Sequence, residues 1–314
     1  MSMLHVILGP TASGKTALAI ALAQKIGGEV MNCDAMQMYA DLPRLTAQPT
    51  EDERKGIPHH LFGVLAGNDK GQMARYTELA RKTIADIRGR GRQPVLCGGT
   101  GLYFKALTEG LARIPAIPIV LHEMAVALHQ DIGGAALRAK LAEVDPETAM
   151  RLNDGDTQRL IRAWEVYVGT GTPLSTWIRE TQDTQNVESN WHAYVLLPPR
   201  DQLYEKINRR FDVMLQEGVV DEVRALLAKN YPADMPVMRA HGVPEIARYL
   251  AGGCTLAQAA DKVRQLTRNY AKRQYTWFTH QVLDKHPERV TVISDFGASA
   301  AAEAAVSLRQ KGAA

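Results

Sequence analysis

The residues best suited to chemistry lie near the start of the chain, in the run Gly9-Pro10-Thr11-Ala12-Ser13-Gly14-Lys15-Thr16. This spacing of glycine, lysine and threonine is typical of a loop whose backbone N–H groups surround a chain of phosphates. Lys15 offers a positive charge to the terminal phosphates, and the Thr16 hydroxyl can bind Mg²⁺. The flanking pattern predicts a strand over residues 4–8 and a helix over residues 16–26, whose N-terminus would also face the anion. The sequence therefore predicts a site for a diphosphate or a triphosphate.

A second candidate is Asp34, which directly follows a predicted strand over residues 29–33. Ligands of open parallel sheets bind at the carboxyl ends of the strands, so Asp34 is expected to face the same crevice as the phosphate loop. The alternative is an Asx turn or a helix cap. A third strand is predicted over residues 94–97 and leads into Gly98-Gly99-Thr100-Gly101-Leu102-Tyr103. A hydrolytic ATPase usually carries an aspartate at such a strand end, so the glycines argue against a motor or switch NTPase.

The remaining sequence pattern divides the chain into a part with alternating strands and helices and a part with helices alone. Further helices are predicted over residues 76–88, 200–217, 219–229 and 256–281, and further strands over residues 193–197 and 290–293. Strand signals are missing over residues 114–190, where short helices follow one another. The sequence thus predicts an α/β fold with a parallel sheet flanked by helices in residues 1–113 and 191–296. An all-helical insertion is expected at 114–190, and a frayed tail at 297–314.

Composition limits the class of protein. The chain has 314 residues, of which 46% are hydrophobic and 23% are charged, as expected for a globular protein of one or two domains. A net charge of +3 does not by itself demand a polyanionic partner. The three cysteines have no metal-ligand spacing and are expected to be reduced. With neither a leader nor a membrane span in the pattern, a cytoplasmic protein is expected, and we predict a monomer.

Three further features each have two interpretations. The adjacent pair His59-His60 could bind a metal, but a structural role is favoured because no partner ligands are near in sequence. In a helix capped by Asp156, Arg159 and Arg162 share one face, which is more often a solvated face than a ligand site. Aromatic residues such as Tyr275, beside basic residues, could stack on bases, although core packing is the commoner role.

Several of these segments occur together in an order that resembles the tRNA dimethylallyltransferases, the isopentenyl-diphosphate:tRNA transferases. The matching segments are residues 9–16, 34–39, 58–60, 98–103, 156–166 and 267–277. They span nearly the whole chain. The phosphate loop is shared with many enzymes, whereas Gly98–Tyr103 and the late segment Thr-Arg-Asn-Tyr-Ala-Lys-Arg-Gln-Tyr-Thr-Trp are far more specific.

The resemblance implies transfer of a dimethylallyl group from its diphosphate to N6 of the adenosine immediately 3′ of the tRNA anticodon. It implies a fold similar to the P-loop nucleotide kinases, with the insertion gripping the anticodon stem. By the same resemblance Asp34 is the general base, while Lys15, Arg210 and a Mg²⁺ held partly by Thr16 stabilise the leaving diphosphate. Thr100 would lie beside the transferred group and the target base. The expected partners are dimethylallyl diphosphate and a tRNA anticodon stem-loop.

The resemblance also implies a set of residues that contact tRNA. They are Asp34, Ala35, Met36, Gln37, Thr100, Gln158, Arg159, Leu160, Ile161, Arg162, Arg239, Ala240, His241, Gly242, Val243, Pro244, Lys272, Arg273, Gln274, Tyr275, Thr276, Trp277, Phe278 and Thr279.

The chain departs from the family pattern at four places, all outside the phosphate loop. Ala35 stands where a serine is usual, Gln48 where a lysine is usual, and Thr279 where an arginine is common. Val243-Pro244 replaces a tyrosine followed by a basic residue. Three of these changes remove a charge or a hydrogen-bonding group from the side expected to face tRNA, so weaker tRNA affinity or an altered anticodon-loop preference is expected.

Other functions compete with tRNA prenylation. An adenylate prenyltransferase or a small-metabolite kinase could use the same phosphate loop, but neither needs the helical insertion or the basic late helix. A non-catalytic RNA-binding protein is the alternative from another class. The complete set of Asp34, Lys15, Thr16, Thr100 and Arg210 argues against that alternative.

Overall fold

The computed structural model describes residues 2–180 and 187–295. Its strands are β1 (Leu4–Leu8), β2 (Gly28–Asn32), β3 (His59–His60), β4 (Gln93–Gly98), β5 (Trp191–Leu196) and β6 (Val290–Ile293). They form one parallel sheet in the order β3-β2-β4-β1-β5-β6. The predicted α/β class with a parallel sheet is confirmed. The predicted frayed tail at 297–314 lies outside the described residues.

The helices are α1 (Lys15–Ile26), α2 (Glu51–Arg54), α3 (Met73–Gly89), α4 (Gly101–Thr108), α5 (Ile119–Val144), α6 (Pro146–Arg151), α7 (Thr157–Thr170), α8 (Leu174–Glu180), α9 (Arg200–Gln216), α10 (Val219–Leu227), α11 (Val243–Leu250) and α12 (Leu256–Phe278). A single π-helical turn, Thr279–Leu283, continues α12. No helix in the described parts of the chain is both long enough and apolar enough to cross a membrane.

The chain divides into two compact units. One contains the residues up to Leu107 and from Glu188 onward, and it holds the sheet. The other runs from Thr108 to Val187 and contains helices α5 to α8. The boundaries predicted at 113/114 and 190/191 therefore lie a few residues farther along the chain than the divisions of the structure.

The strands of the sheet bury residues on both faces because helices cover both sides. Along β1, Val6 and Leu8 belong to one buried cluster, whereas Ile7 belongs to another. This follows from the pleat, which points successive side chains to opposite faces. All five residues of β1 are fully or almost fully buried, which explains why four of the five are apolar and only His5 is polar.

The second unit has its own core, built around Leu137, Leu141 and Leu160. Asp145 is the N-cap of α6, because its Oδ1 accepts a hydrogen bond from Thr148 N at 3.0 Å. Asp156 occupies the predicted N-cap position of α7, but its side chain makes no capping hydrogen bond. Its carboxylate accepts a hydrogen bond from Asn153 N, at 2.9 Å, instead of binding a backbone N–H of α7.

The carboxyl ends of β1, β2 and β4 meet at one edge of the sheet, since the strands are parallel and adjacent. The phosphate loop follows β1, Asp34 follows β2 after one intervening residue, and Gly99 follows β4. The ends of β2 and β4 are in very close contact. A Cβ atom at Gly98 would lie 2.1 Å from the carbonyl carbon and oxygen of Cys33, so a side chain does not fit there.

Replacement of Gly98 by alanine is expected to lower the free energy of unfolding by about 1–3 kcal/mol, because the added methyl group would push the two strands apart. Gly89→Ala is the matched control, since a Cβ atom there would meet nothing within 4 Å. Its effect is expected to stay below about 1 kcal/mol. Urea denaturation measures both values. Equal stability of the two variants would show that the contact between β2 and β4 is not a constraint.

Candidate active site

The phosphate loop connects β1 to α1 and lines a large cavity. Gly14 adopts a left-handed conformation with φ 93° at the N-cap of α1, and its side-chain-free backbone leaves the helix N-terminus uncovered. The cavity has a volume of about 780 Å³. Six consecutive residues of the loop and the first helical turn, Thr11 to Thr16, contribute to its wall. This arrangement is suited to a diphosphate at a helix N-terminus.

Lys15 lies in this cavity with its ammonium group held by the loop. Its Nζ donates a hydrogen bond to the carbonyl oxygen of Pro10 at 2.7 Å. Burial lowers the pKa of Lys15 to about 8. Cys97 and Asp34 oppose this shift, and the positive charge of Arg210 adds to it. An anion bound in the cavity would favour the protonated form.

Arg210 reaches the same cavity from α9. Its Nη2 donates a hydrogen bond to Thr11 Oγ1 at 2.5 Å, which fixes the guanidinium group beside the phosphate loop. Burial lowers its pKa from the ordinary arginine value, and the carboxylate of Asp34 acts in the opposite direction. The fold thus brings Lys15, Arg210 and Asp34 together, as the sequence predicted for a single crevice.

Asp34 combines the two roles that the sequence left as alternatives. Its Oδ1 accepts a hydrogen bond from Met36 N at 3.1 Å, which is an Asx turn. Its backbone N–H donates to Asn32 Oδ1 at 2.8 Å, and the Asn32 amide in turn donates to the Asp34 carbonyl oxygen. The turn leaves the carboxylate in the wall of the phosphate cavity. Local hydrogen bonds therefore fix the direction of a group that faces the ligand site.

Thr100 is tied directly to the segment that carries Asp34. Its backbone N–H donates to the Cys33 carbonyl oxygen at 3.0 Å, and its hydroxyl accepts a hydrogen bond from Ala35 N at 3.0 Å. Tyr270, a partly buried residue of α12, lines the same cavity as Thr100. Thr100 and Asp34 therefore form one rigid arrangement at the ends of β4 and β2.

A smaller cavity of about 320 Å³ adjoins the first. The two cavities share the wall residues Thr11, Asp34, Thr46 and Arg210. Apolar side chains of α9 and α12 form much of the second cavity, namely Ile207, Phe211, Met214 and Val263. Its other lining residues include Met36, Thr100, Arg239, Ala240, His241 and Tyr270. Asp34 therefore stands between a cavity bordered by the phosphate loop and a largely apolar one.

The sequence could not reveal the apolar wall of the second cavity. Ile207, Phe211 and Met214 recur at helical spacing on α9, as residues of an ordinary buried face do. Asn32 was also missed, although its amide orients both the Asp34 backbone and the Leu61 carbonyl oxygen. A polar residue at the end of an apolar strand was the available signal for Asn32.

The residues predicted to contact tRNA include both exposed and buried side chains. On α12, Lys272, Arg273 and Thr276 are exposed, whereas Gln274 and Phe278 are buried. Arg239 and His241 are exposed, and both line the second cavity.

The predicted tRNA contacts at residues 158–162 lie in the second unit. Leu160 and Ile161 are buried in its core, and Gln158 and Arg159 are exposed. Arg162 forms an ion pair with Glu165 at 2.6 Å. The exposed members of this segment are the ones available to a ligand.

The departures from the family pattern make local contacts. Gln48 Nε2 donates a hydrogen bond to the Tyr39 carbonyl oxygen at 2.8 Å. Thr279 Oγ1 donates to the Tyr275 carbonyl oxygen at 3.0 Å. Both side chains therefore stabilise the backbone near the site.

The histidine pair also has local partners. His60 Nε2 lies 2.7 Å from Glu29 Oε2, and His59 Nδ1 lies 2.8 Å from the Ile57 carbonyl oxygen. These contacts support the structural interpretation. Among residues 2–180 and 187–295, no group of three or more His, Cys, Asp or Glu side chains is arranged to hold a metal ion.

A parallel sheet with a phosphate loop between its first strand and first helix defines a P-loop protein. The IPP transferase family model matches residues 37–281, and the isopentenyl transferase model matches residues 2–61. The chain therefore belongs to the IPP transferase family, as its motifs predicted.

Relatives and solved structures agree with this assignment. A tRNA dimethylallyltransferase of Phenylobacterium zucineum is 48% identical over 276 residues, which cover 88% of this chain and 89% of the relative. The tRNA isopentenylpyrophosphate transferase structure from Bacillus halodurans is 35% identical, with a TM-score of 0.66 over 94% of this chain and 90% of that one. A eukaryotic dimethylallyltransferase, described as acting on tRNA, has 26% identity and a TM-score of 0.80 over 94% and 74% of the two chains.

The lowered pKa of Lys15 predicts a pH-dependent affinity for inorganic pyrophosphate. As pH rises through about 8 the free enzyme loses the ammonium charge, so binding then requires uptake of a proton and becomes weaker. Calorimetry in buffers of different ionisation enthalpy, at pH 7 and at pH 8.5, measures this uptake. Lys15→Met is the control, because methionine does not titrate. Proton uptake by this variant therefore reports the titration of pyrophosphate without that of residue 15. Identical proton uptake by wild type and Lys15→Met would contradict the prediction.

Proposed function

We propose that this chain transfers a dimethylallyl group from dimethylallyl diphosphate to N6 of the adenosine immediately 3′ of the anticodon in tRNA. One observation carries the proposal: Asp34 lies in the wall of both cavities, between the phosphate loop and the apolar wall of α9 and α12. Membership of the IPP transferase family supports the same reaction. Such a substrate agrees with the cytoplasmic location predicted from the sequence.

The diphosphate of the donor binds in the larger cavity. The backbone N–H groups at the N-terminus of α1, the Lys15 ammonium and the Arg210 guanidinium would together neutralise its charge. These groups are fixed before the reaction by hydrogen bonds within the protein, so little reorganisation is needed as charge develops on the leaving group. Removal of one such preorganised contact commonly costs about 3 kcal/mol of barrier.

The chemistry of the site also fits a Mg²⁺ ion bound together with the diphosphate. The Thr16 hydroxyl and the Asp34 carboxylate supply oxygen atoms to the same cavity, and Mg²⁺ usually takes one or two protein oxygens together with substrate phosphates. The Ser13 hydroxyl is buried in the loop and has no protein partner, so it also offers a polar atom. A bound Mg²⁺ would add positive charge beside the departing diphosphate. We assign Thr16 as its protein ligand.

The adenine enters the second cavity, where apolar side chains can accept the face of a purine. Arg239 and His241 lie at this cavity and, with the exposed cations of α12, would hold the adjoining nucleotides. The base must leave its stack to reach Asp34, and single-stranded anticodon loops make this easier. The allylic carbon would lie where the two cavities meet.

The reaction then needs one base and one stabilised leaving group. Nitrogen N6 forms a bond to C1 of the dimethylallyl group while the bond from C1 to the bridging oxygen breaks. The diphosphate leaves with that electron pair, and the proton from N6 passes to the Asp34 carboxylate. The adenine amine is a weak nucleophile because its lone pair is delocalised into the ring, so the base must act as bonding begins.

Replacement of Asp34 by asparagine is expected to lower kcat by about 10²–10⁴-fold, which is the usual contribution of a general base. Pyrophosphate affinity should remain, because Lys15 and Arg210 are unchanged and the asparagine side chain can still accept the hydrogen bond from Met36 N. Asp261→Asn is the control, since this exposed carboxylate of α12 only forms a surface ion pair with Arg264. Steady-state kinetics with tRNA compares the variants. Undiminished turnover by Asp34→Asn would remove Asp34 from the mechanism.

Mass spectrometry of nucleosides from unmodified tRNA tests the overall reaction, after incubation with the enzyme, dimethylallyl diphosphate and Mg²⁺. Dimethylallyl-adenosine at the position 3′ of the anticodon is expected. AMP offered as a competing acceptor distinguishes a free-adenylate prenyltransferase. Product on AMP alone, or no release of diphosphate with either acceptor, would contradict tRNA prenylation.

A further inference from the structure

Gln274 has a position that its neighbours on α12 do not share. The residue is only 5% exposed, although it follows the exposed Lys272 and Arg273. Its Nε2 donates a hydrogen bond to the Gly99 carbonyl oxygen at 2.8 Å, and its Oε1 accepts one from Thr11 N at 2.9 Å. Both ends of the side-chain amide therefore bind main-chain atoms, in two different loops.

The two partners of Gln274 belong to the two halves of the candidate site. Thr11 lies in the phosphate loop, and its hydroxyl also accepts the hydrogen bond of Arg210. Gly99 immediately precedes Thr100 and lies beside Asp34. A Cβ atom at Gly99 would be 2.3 Å from Gln274 Nε2 and 3.2 Å from Asp34 Oδ2, so the amide and the carboxylate lie close to the same backbone position.

Helix α12 packs tightly against the segment that follows β4. One turn beyond Gln274, the ring of Trp277 lies so close to Gly101 that a Cβ atom there would be 2.2–2.5 Å from three of its carbon atoms. Gln274 and Trp277 lie on one face of α12, as residues three apart do. That face contacts the loop after β4, whereas Lys272 and Arg273 are exposed.

We propose that Gln274 is a positioning residue, which holds the phosphate loop at a fixed distance from Asp34 and Thr100. This inference rests on the proposed function, in which the leaving group is bound by one loop and the base is placed by the other. It assigns Gln274 a role other than the tRNA contact implied by the resemblance. A displacement of about 1 Å between reacting groups can lower the rate about 10²-fold.

Only an amide of this length supplies both hydrogen bonds. Gln274→Met keeps the length of the side chain and removes both the donor and the acceptor. Gln274→Glu keeps an acceptor for Thr11 N, but its ionised carboxylate cannot donate to the Gly99 carbonyl oxygen and adds a negative charge near Asp34. Gln265→Met is the matched control on the same helix, because Gln265 is exposed and accepts a hydrogen bond from Lys262 at the surface.

The experiment measures separately how each variant affects the use of dimethylallyl diphosphate and the use of tRNA. For each variant, steady-state kinetics gives kcat and the KM values for dimethylallyl diphosphate and for tRNA. Calorimetry gives the Kd for inorganic pyrophosphate with Mg²⁺, fluorescence anisotropy gives the Kd for an anticodon stem-loop, and thermal unfolding reports the folded state.

Gln274→Met is expected to lower kcat/KM for the donor about 10²-fold and to weaken pyrophosphate binding, with an unchanged stem-loop Kd. Gln274→Glu should regain activity relative to wild type as pH falls, because the protonated acid can again donate to Gly99. Gln265→Met should behave as wild type.

Other outcomes would overturn the inference. A weaker stem-loop Kd with unchanged kcat and pyrophosphate binding would make Gln274 a tRNA contact, and wild-type kinetics in both variants would leave it without a role. Unfolding of both variants at the assay temperature would make it a structural residue only. If the wild-type enzyme failed to modify tRNA, the proposed function would fail, while pyrophosphate binding would still decide the role of Gln274.

Discussion

Close contact between the ends of β2 and β4 is the constraint from which the candidate site follows. The main chain of Cys33 occupies the space where a side chain of Gly98 would lie. Hydrogen bonds cross this contact, from Cys33 N to the Cys97 carbonyl oxygen and from Thr100 N to the Cys33 carbonyl oxygen. Asp34 lies one residue beyond Cys33 and Thr100 lies two residues beyond Gly98, so the backbone contact between these two segments sets their separation.

Burial of charge is the second physical feature of the site. Desolvation lowers the pKa values of both Lys15 and Arg210, and the Asp34 carboxylate opposes it in each case. The wall of the cavity carries more lysine and arginine than carboxylate side chains, namely Lys15, Lys55, Lys206, Arg209 and Arg210 against Asp34 and Glu53. The resulting net positive charge favours a polyanion. A bound diphosphate would therefore relieve the cost of holding the cations away from water. The second cavity is largely apolar and has fewer charged side chains in its wall, so it is less suited to a polyanion.

The sequence was sufficient to locate the candidate site at one edge of the sheet because simple rules apply there. Parallel strands end at one edge, so the motifs after β1, β2 and β4 had to be neighbours once the strands were identified. The phosphate loop, Asp34 and the segment from Gly98 to Tyr103 were placed correctly for this reason.

Other features depend on contacts between elements far apart in the chain. The apolar stripe of α9 looks the same in sequence whether it lines a cavity or fills a core, so the second cavity could not be predicted. Gln274 lies in a basic, polar segment, and only the fold reveals that its amide points inward, toward residues 11 and 99. Asp156 has the residue type of an N-cap, but its carboxylate is used by Asn153 instead.

A crystal structure with a donor analogue that cannot react and an anticodon stem-loop tests the shared site most directly. A sulfur atom in place of the bridging oxygen would preserve the diphosphate in such an analogue. We expect the diphosphate on residues 11–16 and the extruded adenine with N6 about 2.6–3.2 Å from an Asp34 carboxylate oxygen. An adenine whose N6 contacts a different group, with Asp34 facing away from the allylic carbon, would contradict the mechanism.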